Sequence, residues 1–261
     1  METNLFSRFS PAIRDLTSST LGGTGLPDKL LLDRDGPISV YYAPFDYVNT
    51  SARVVIVGIT PGRTQAINAL LEGQRQIRSG ATPQITCMAV KQAASFSGPM
   101  RENLVAMLER IGLHTSLGIN SCHELFNPSK PLAHMTSLLK YPVLVDNQNY
   151  NGSPDPLKHP LLAKLVREHF AMDIKSLAGA VFVPLGDKVA SALLQLAGEG
   201  FLDKECILNQ MPHPSGANGE RIAYFLGRKQ KVALSKKTDP SKIDAALLSL
   251  IAQVQAIRPA I

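Results

Sequence analysis

Apolar residues along this chain fall into two alternating patterns. Short continuous runs, Arg53-Val54-Val55-Ile56-Val57, Met135-Thr136-Ser137-Leu138-Leu139, Ala180-Val181-Phe182-Val183 and Cys206-Ile207-Leu208, predict strands. Their hydrophobicity does not alternate with polar positions, which fits strands buried on both faces, as in a parallel sheet. Between them, Leu104, Met107, Leu108 and Ile111 recur at helical spacing, as do Leu161, Leu162, Leu165 and Val166. Val189, Leu193 and Leu194 begin a further helix, and Ala245 to Val254 form a last one. Strand alternating with helix predicts an α/β fold, a three-layer α/β/α sandwich around a central, mostly parallel sheet.

Residues 1–37 read as an extension, a helix followed by the Ser/Gly-rich stretch Ser18-Ser19-Thr20-Leu21-Gly22-Gly23-Thr24-Gly25. No shift of composition marks a boundary after it, so residues 38–261 are expected to form a single domain. Asn127 to Pro131 and Asp146 to Pro156 are rich in Asn, Gly and Pro and predict loops. No internal repeat or low-complexity tract interrupts the pattern.

Composition narrows the function classes. The 261 residues are 44% hydrophobic and 18% charged, an ordinary balance for a globular protein with a sizeable core. No apolar run is long enough to span a bilayer, and Met1-Glu2-Thr3-Asn4 does not open a basic, then apolar leader. A cytoplasmic protein without a membrane partner is the expectation. Cys87, Cys122 and Cys206 are too few and too dispersed for a disulfide framework or a zinc site, so buried reduced thiols are expected and no metal is. The net charge of +6 favours a polyanionic partner. Arg228, Lys229 and Lys231, with Lys236 and Lys237 nearby, concentrate that charge, either as phosphate contacts or as a solvated helix end.

Two segments carry candidate chemistry. Val54 to Val57 runs into Gly58-Ile59-Thr60-Pro61-Gly62-Arg63-Thr64-Gln65 and then a helix. Glycines let a ligand approach the backbone, and a helix start offers free N–H groups to an anion. Cys206 to Leu208 leads into Met211-Pro212-His213-Pro214-Ser215-Gly216-Ala217-Asn218, again before a helix. A histidine between two prolines has a restricted backbone and a fixed direction. In an open α/β sheet, ligands bind beyond the carboxyl ends of the strands, where both segments fall.

Together, and in this order, these segments resemble the two active-site motifs of the uracil-DNA glycosylase superfamily. The similarity extends to Ala94 through Leu104, which resembles the stretch whose aromatic stacks on the flipped base. It includes Met135 through Pro142, similar to the strand carrying the base-reading side chain, and Val183-Pro184-Leu185-Gly186-Asp187, similar to a later strand and turn. The resemblance covers roughly residues 40–230. It implies a DNA glycosylase that flips a base and hydrolyses its N-glycosidic bond without a cofactor. His213 would stabilise the leaving base, and Thr60 would occupy the water-positioning place. Gly58, Ile59, Gly62, Phe96 and Ser137 would surround the base. Arg63, Gln65, Ser215, Asn218, Arg228, Lys229 and Lys231 would hold DNA. DNA is the implied partner, and a monomer is expected.

The sequence departs from that family in three places. Many relatives carry Asp or Asn where this chain has Thr60, and a hydroxyl is not a carboxylate base at neutral pH. Asp46 is the candidate substitute, with an exposed turn aspartate as its other reading. Ser137 stands where uracil-selective relatives often have Asn, and one hydroxyl cannot reproduce an amide's paired contacts. Gly62 leaves space beside C5 of a pyrimidine, and Tyr141 stands where the iron–sulfur branch has a cysteine. Gly62 and Ser137 together predict a 5-substituted pyrimidine as substrate, in base excision repair or in defence against phage with modified DNA, and Tyr141 argues against an iron–sulfur cluster. A non-catalytic binder of modified bases or unusual DNA is the alternative, and a Rossmann-like enzyme acting on free nucleotides a third.

Overall fold

The computed structural model describes residues 5–23, 25–94, 98–127, 129 and 132–257. Among them the strands are β1 (Leu31–Asp35), β2 (Ile38–Tyr41), β3 (Val54–Gly58), β4 (Ala133–Ser137), β5 (Val143–Val145), β6 (Gln148–Asn149) and β7 (Val181–Pro184). The described residues divide into two compact units interleaved along the chain. The first lies within Met1–Val48, Ile59–Ser95 and Ser137–Asp173, and the second within Asn49–Gly58, Phe96–Thr136 and Ile174–Ile261.

The first unit is built on an antiparallel sheet of order β1-β2-β5-β6. The pattern of apolar runs gives no hint of it, because β1 (Leu-Leu-Asp-Arg-Asp) ends exposed and β6 is two exposed residues. Turn chemistry makes it instead. Gly36 supplies a φ of +54° between β1 and β2, and Asp146 and Asn147 adopt φ of 49° and 60° between β5 and β6. Short polar side chains and glycine are the residues that tolerate these left-handed hairpin positions. The stretch expected as a loop from Asp146 therefore begins as a hairpin.

The described residues before position 38 contribute to this unit's core. The helix Leu5–Arg14 buries Phe6, Phe9 and Ile13, and the Phe9 ring stacks on Tyr42 with centroids 4.8 Å apart. Its last turn is tied to the helix Arg63–Arg78 by the Gln74 amide, which donates to the carbonyls of Ile13, Arg14 and Leu16. Ile13 and Arg14 belong to the last turn, whose carbonyls have no N–H four residues on within the helix, and Leu16 lies just beyond it.

The second unit holds the sheet β4-β3-β7, with β3 and β7 parallel and Val54 to Val57 opposite Val181 to Pro184. All four apolar residues of β3 are buried, as continuous hydrophobicity predicts. Val54, Ile56, Val181 and Val183 join Leu104 and Leu108 of the helix Pro99–Arg110, and Leu250 and Val254 of the helix Pro240–Ala256, in one core.

Two strands differ from their expected extents. β4 ends at Ser137, and Leu138 and Leu139 are buried in the bend that follows, so their apolarity reflects a buried turn. Cys206 to Leu208 reduces to one parallel bridge, Phe182 to Ile207. The chain turns away there, because Asn209 N–H bonds back to the Ile207 carbonyl and Gln210 takes a φ of +69°. Among the described residues no helix is long and apolar enough to cross a membrane.

Candidate functional site

The first motif begins at the end of β3 and enters the first unit at Ile59, whose carbonyl accepts the Leu139 N–H at 2.9 Å. Thr60 Oγ1 donates to the Tyr141 carbonyl at 3.0 Å and accepts the Val143 N–H at 3.1 Å. A hydroxyl has one proton and two lone pairs. Its proton is therefore committed, and one lone pair remains. Thr60 acts as a clip between the motif and the start of β5, able to accept a bond from water but offering it no donor.

The helix start after the motif is closed by side chains of the same unit. Gly62 N–H donates to Gln65 Oε1 at 3.2 Å, and Arg63 N–H donates to Asn149 Oδ1 at 2.8 Å. Gln65 also donates to the Ala94 carbonyl at 3.2 Å. The Arg63 guanidinium donates to the carbonyls of Leu21, Gly23 and Gly25. Arg63 and Gln65, expected as DNA contacts, thus fasten the N-terminal loop and the end of the next helix. At Gly62 a Cβ would lie 3.7 Å from the Asn149 amide, an ordinary contact, so the position has room for a methyl group but a large ring would have to displace Asn149.

Asp46 is half-buried, and the reading of it as an exposed turn residue does not hold. The Tyr42 hydroxyl donates to Asp46 Oδ2 and the Tyr141 hydroxyl to Oδ1, each at 2.6 Å. Burial first, and the Asp46 charge second, raise both phenols far above their ordinary range, which keeps them protonated as donors. The Cys87 thiol approaches Oδ2 at 4.0 Å and is pushed up to about 12 by burial and by that same charge. Burial, with the like charge of Lys140 behind it, brings the Lys91 amine down to about 7. Lys140 itself is buried and pairs with Asp173 at 2.8 Å. Tyr141 connects the two candidate residues, since its carbonyl receives Thr60 and its hydroxyl meets Asp46.

His213 belongs to the second unit. Its Nδ1 accepts the Ser215 N–H at 3.2 Å, which requires Nδ1 to be unprotonated and leaves the proton of the neutral ring on Nε2. Burial holds the ring below the usual imidazole range, so the neutral form prevails at pH 7. Nε2–H has no partner among the described residues and stands ready as a donor. The loop is fastened by Asn103, whose amide donates to the Pro214 carbonyl at 2.9 Å. Gly186, at φ +96°, lies against the ring, and a Cβ there would meet His213 Cδ2 at 3.4 Å.

His213 lines a pocket of about 760 Å³ that also contains Gly186 and Asp187 at one helix start and Asp239 at another. Asn218, Arg221, Lys237 and Lys242 contribute polar walls, and Asn218 touches Ser215 through an amide-to-hydroxyl bond of 3.4 Å. Arg228 and Lys231 are exposed. Lys229 pairs with Glu220 at 2.8 Å, so of the expected basic run it is the residue already neutralised. Glu220 also accepts from the Ser235 and Thr238 hydroxyls, and these bonds, led by that of Lys229, hold its carboxyl far below the usual range.

Ser137 is half-buried at the end of β4, and Gly58 ends β3. Phe96 lies outside the described residues. Asn103, Asn149, Arg221 and Lys242 carry no motif signal in the sequence. Asn103 sits inside the stretch resembling the aromatic segment, but only the fold brings it to Pro214, more than a hundred positions away.

Across 242 residues the chain is 33% identical to the uncharacterized protein YoxB of Bacillus subtilis (strain 168), an alignment covering 92% of this chain and 94% of that protein. No family model matches the sequence. No solved structure matches it. Identity at this level over nearly the whole of both proteins is what common descent with a shared fold produces, and the chain belongs to the same family as YoxB.

Proposed function

We propose that this chain is a DNA glycosylase of the uracil-DNA glycosylase superfamily, with a three-layer α/β/α arrangement, acting as a monomer on a flipped pyrimidine. The observation that carries the reading is the state of His213, a neutral ring on a pocket wall with its Nε2–H unengaged. Flipping is required because the reacting carbon is shielded inside a stacked duplex. Water oxygen then bonds to C1′ as the bond from C1′ to the base nitrogen breaks, and that electron pair leaves with the base. Negative charge grows on the base carbonyl beside that nitrogen, where Nε2–H of His213 donates. Water gives up one proton to solvent and the base takes one, leaving a free base and an abasic sugar. The transition state resembles an oxocarbenium ion and asks little of the nucleophile, which suits a site whose motif threonine can accept a hydrogen bond from water but is no carboxylate base.

Gly62 and Ser137 support a 5-substituted pyrimidine as the base. The first contributes no side chain of its own to the motif, and the second offers one hydroxyl in place of an amide. The cytoplasm is the setting that this substrate implies. Incubating the protein with duplexes carrying modified pyrimidines, then treating with alkali, tests the activity through strand breaks at abasic sites.

A specific observation favours the alternative, a non-catalytic binder of modified DNA. Both oxygens of Asp46, the candidate carboxylate, already accept tyrosine hydroxyls within the fold. A binder retards the duplex in a gel and leaves it resistant to alkali.

A further inference from the structure

The pocket beside His213 is larger than hydrogen bonding to a base carbonyl requires. Its walls include three cations, Arg221, Lys237 and Lys242. The ammonium groups of Lys237 and Lys242 have no hydrogen bond or ion pair among the described residues, and Arg221 makes two long bonds of 3.4 Å, to the Asn218 amide oxygen and the Lys237 carbonyl. Lys237 comes from a held loop, because Glu220 binds Ser235 on one side of it and Thr238 on the other. Two ammonium groups without partners and a guanidinium held only by long bonds to neutral oxygens are arranged for an anion.

We infer that this pocket seats a backbone phosphate of the bound strand, held by Arg221, Lys237 and Lys242. The inference rests on the glycosylase reading. There His213 meets the carbonyl adjacent to the glycosidic nitrogen, so the sugar and its phosphates lie on the histidine's side of the base. Asp187 and Asp239 share the pocket, and the Asp239 carboxylate caps its helix by accepting the N–H groups of Ser241 and Lys242. Three cations against two carboxylates leave one net positive charge, which suits a singly charged phosphodiester better than a dianionic terminal phosphate. This moves the main phosphate contact away from the run Arg228 to Lys231, where Lys229 already serves Glu220.

The test uses a labelled duplex bearing one tetrahydrofuran abasic analogue, with affinity measured over a range of salt. Each duplex phosphate contact contributes a slope of about −0.9 in log K against log salt, about fivefold in affinity at 0.15 M. The variant Arg221→Ala/Lys237→Ala/Lys242→Ala, checked for unchanged melting, loses one phosphate contact and is expected to flatten the slope by about 0.9 and weaken binding about fivefold. Arg228→Ala/Lys231→Ala is expected to change it less. A single methylphosphonate, placed in turn at each phosphate near the analogue, should weaken the wild type at one position and leave the pocket variant indifferent there. A larger slope change in Arg228→Ala/Lys231→Ala than in the pocket variant overturns the inference while the DNA reading stands. No salt-dependent binding of any duplex by the wild type overturns the DNA reading itself. Tight binding of thymidine 5′-monophosphate, lost in the pocket variant and unaccompanied by duplex binding, overturns the strand assignment and makes the phosphate that of a free nucleotide.

Discussion

The Ser215 backbone N–H donates to His213 Nδ1 at 3.2 Å, and that bond decides which nitrogen of the ring carries the proton. A protonated ring would present an N–H to an N–H, so the contact and the positive charge exclude each other. Pro212 and Pro214 limit the backbone on either side, and the Asn103 amide holds the Pro214 carbonyl. The result is a donor whose direction is fixed before any ligand arrives, the kind of arrangement that stabilises developing charge without reorganisation.

Loss of that donor is the first prediction. His213→Ala is expected to keep the fold and most duplex affinity while lowering base release about 100- to 1,000-fold. Single-turnover rates on a cleaved substrate, compared with gel-shift affinity, separate the two effects. Equal losses of rate and affinity would assign His213 to binding alone.

The same bond predicts a pH dependence. An unfolded histidine titrates near about 6.5, and burial places folded His213 below that. Above the unfolded value both states are neutral and the contribution to stability is complete. As pH falls, the unfolded chain takes up its proton first, so stability declines until the folded ring also titrates. His213→Gln is expected to show a shallower fall in denaturation midpoint between pH 7 and pH 5 than the wild type. Parallel curves would show that the ring is not held neutral.

Thr60 is expected to matter for stability. Thr60→Val leaves the Val143 N–H and the Tyr141 carbonyl without their shared partner, a cost of about 1–3 kcal/mol. Thr60→Ser keeps the hydroxyl and is expected to lose far less. Urea denaturation of both variants checks this, and a neutral Thr60→Val would remove the clip from the account.

Gly62→Tyr is expected to act on the substrate. The ring has to pass the Asn149 amide, which a Cβ already approaches to 3.7 Å. A 5-substituted base should then be excluded while activity on an unsubstituted one is spared. Competition between two duplexes reads this directly, and equal inhibition of both would place Gly62 away from C5.

The sequence made some of this legible and hid the rest for physical reasons. Continuous apolar runs mark β3 and β7 because both are buried strands of a parallel pair. The sheet β1-β2-β5-β6 went unread because it depends on left-handed turn residues, Gly36, Asp146 and Asn147, and not on apolar periodicity. His213 was legible from its two prolines and the Ser-Gly after it. Its neutral tautomer was not, since that follows from one backbone N–H. For Arg63 and Lys229 the sequence shows the charge and not the partners within the fold, here three carbonyls that accept from the guanidinium and the carboxylate of Glu220. Asp46 was found as a carboxylate, but its tyrosine clamp joins residues up to 95 positions apart.

The central claim is base excision, and abasic-site formation measures it most directly. Duplexes carrying uracil, 5-hydroxymethylcytosine and glycosylated 5-hydroxymethylcytosine would be incubated with wild type and with His213→Ala, then heated in alkali. The account predicts strand breaks at a substituted pyrimidine, more than at uracil, and their near disappearance in His213→Ala. Intact strands on every duplex despite a clear gel shift would contradict it and leave a binder in place of the enzyme.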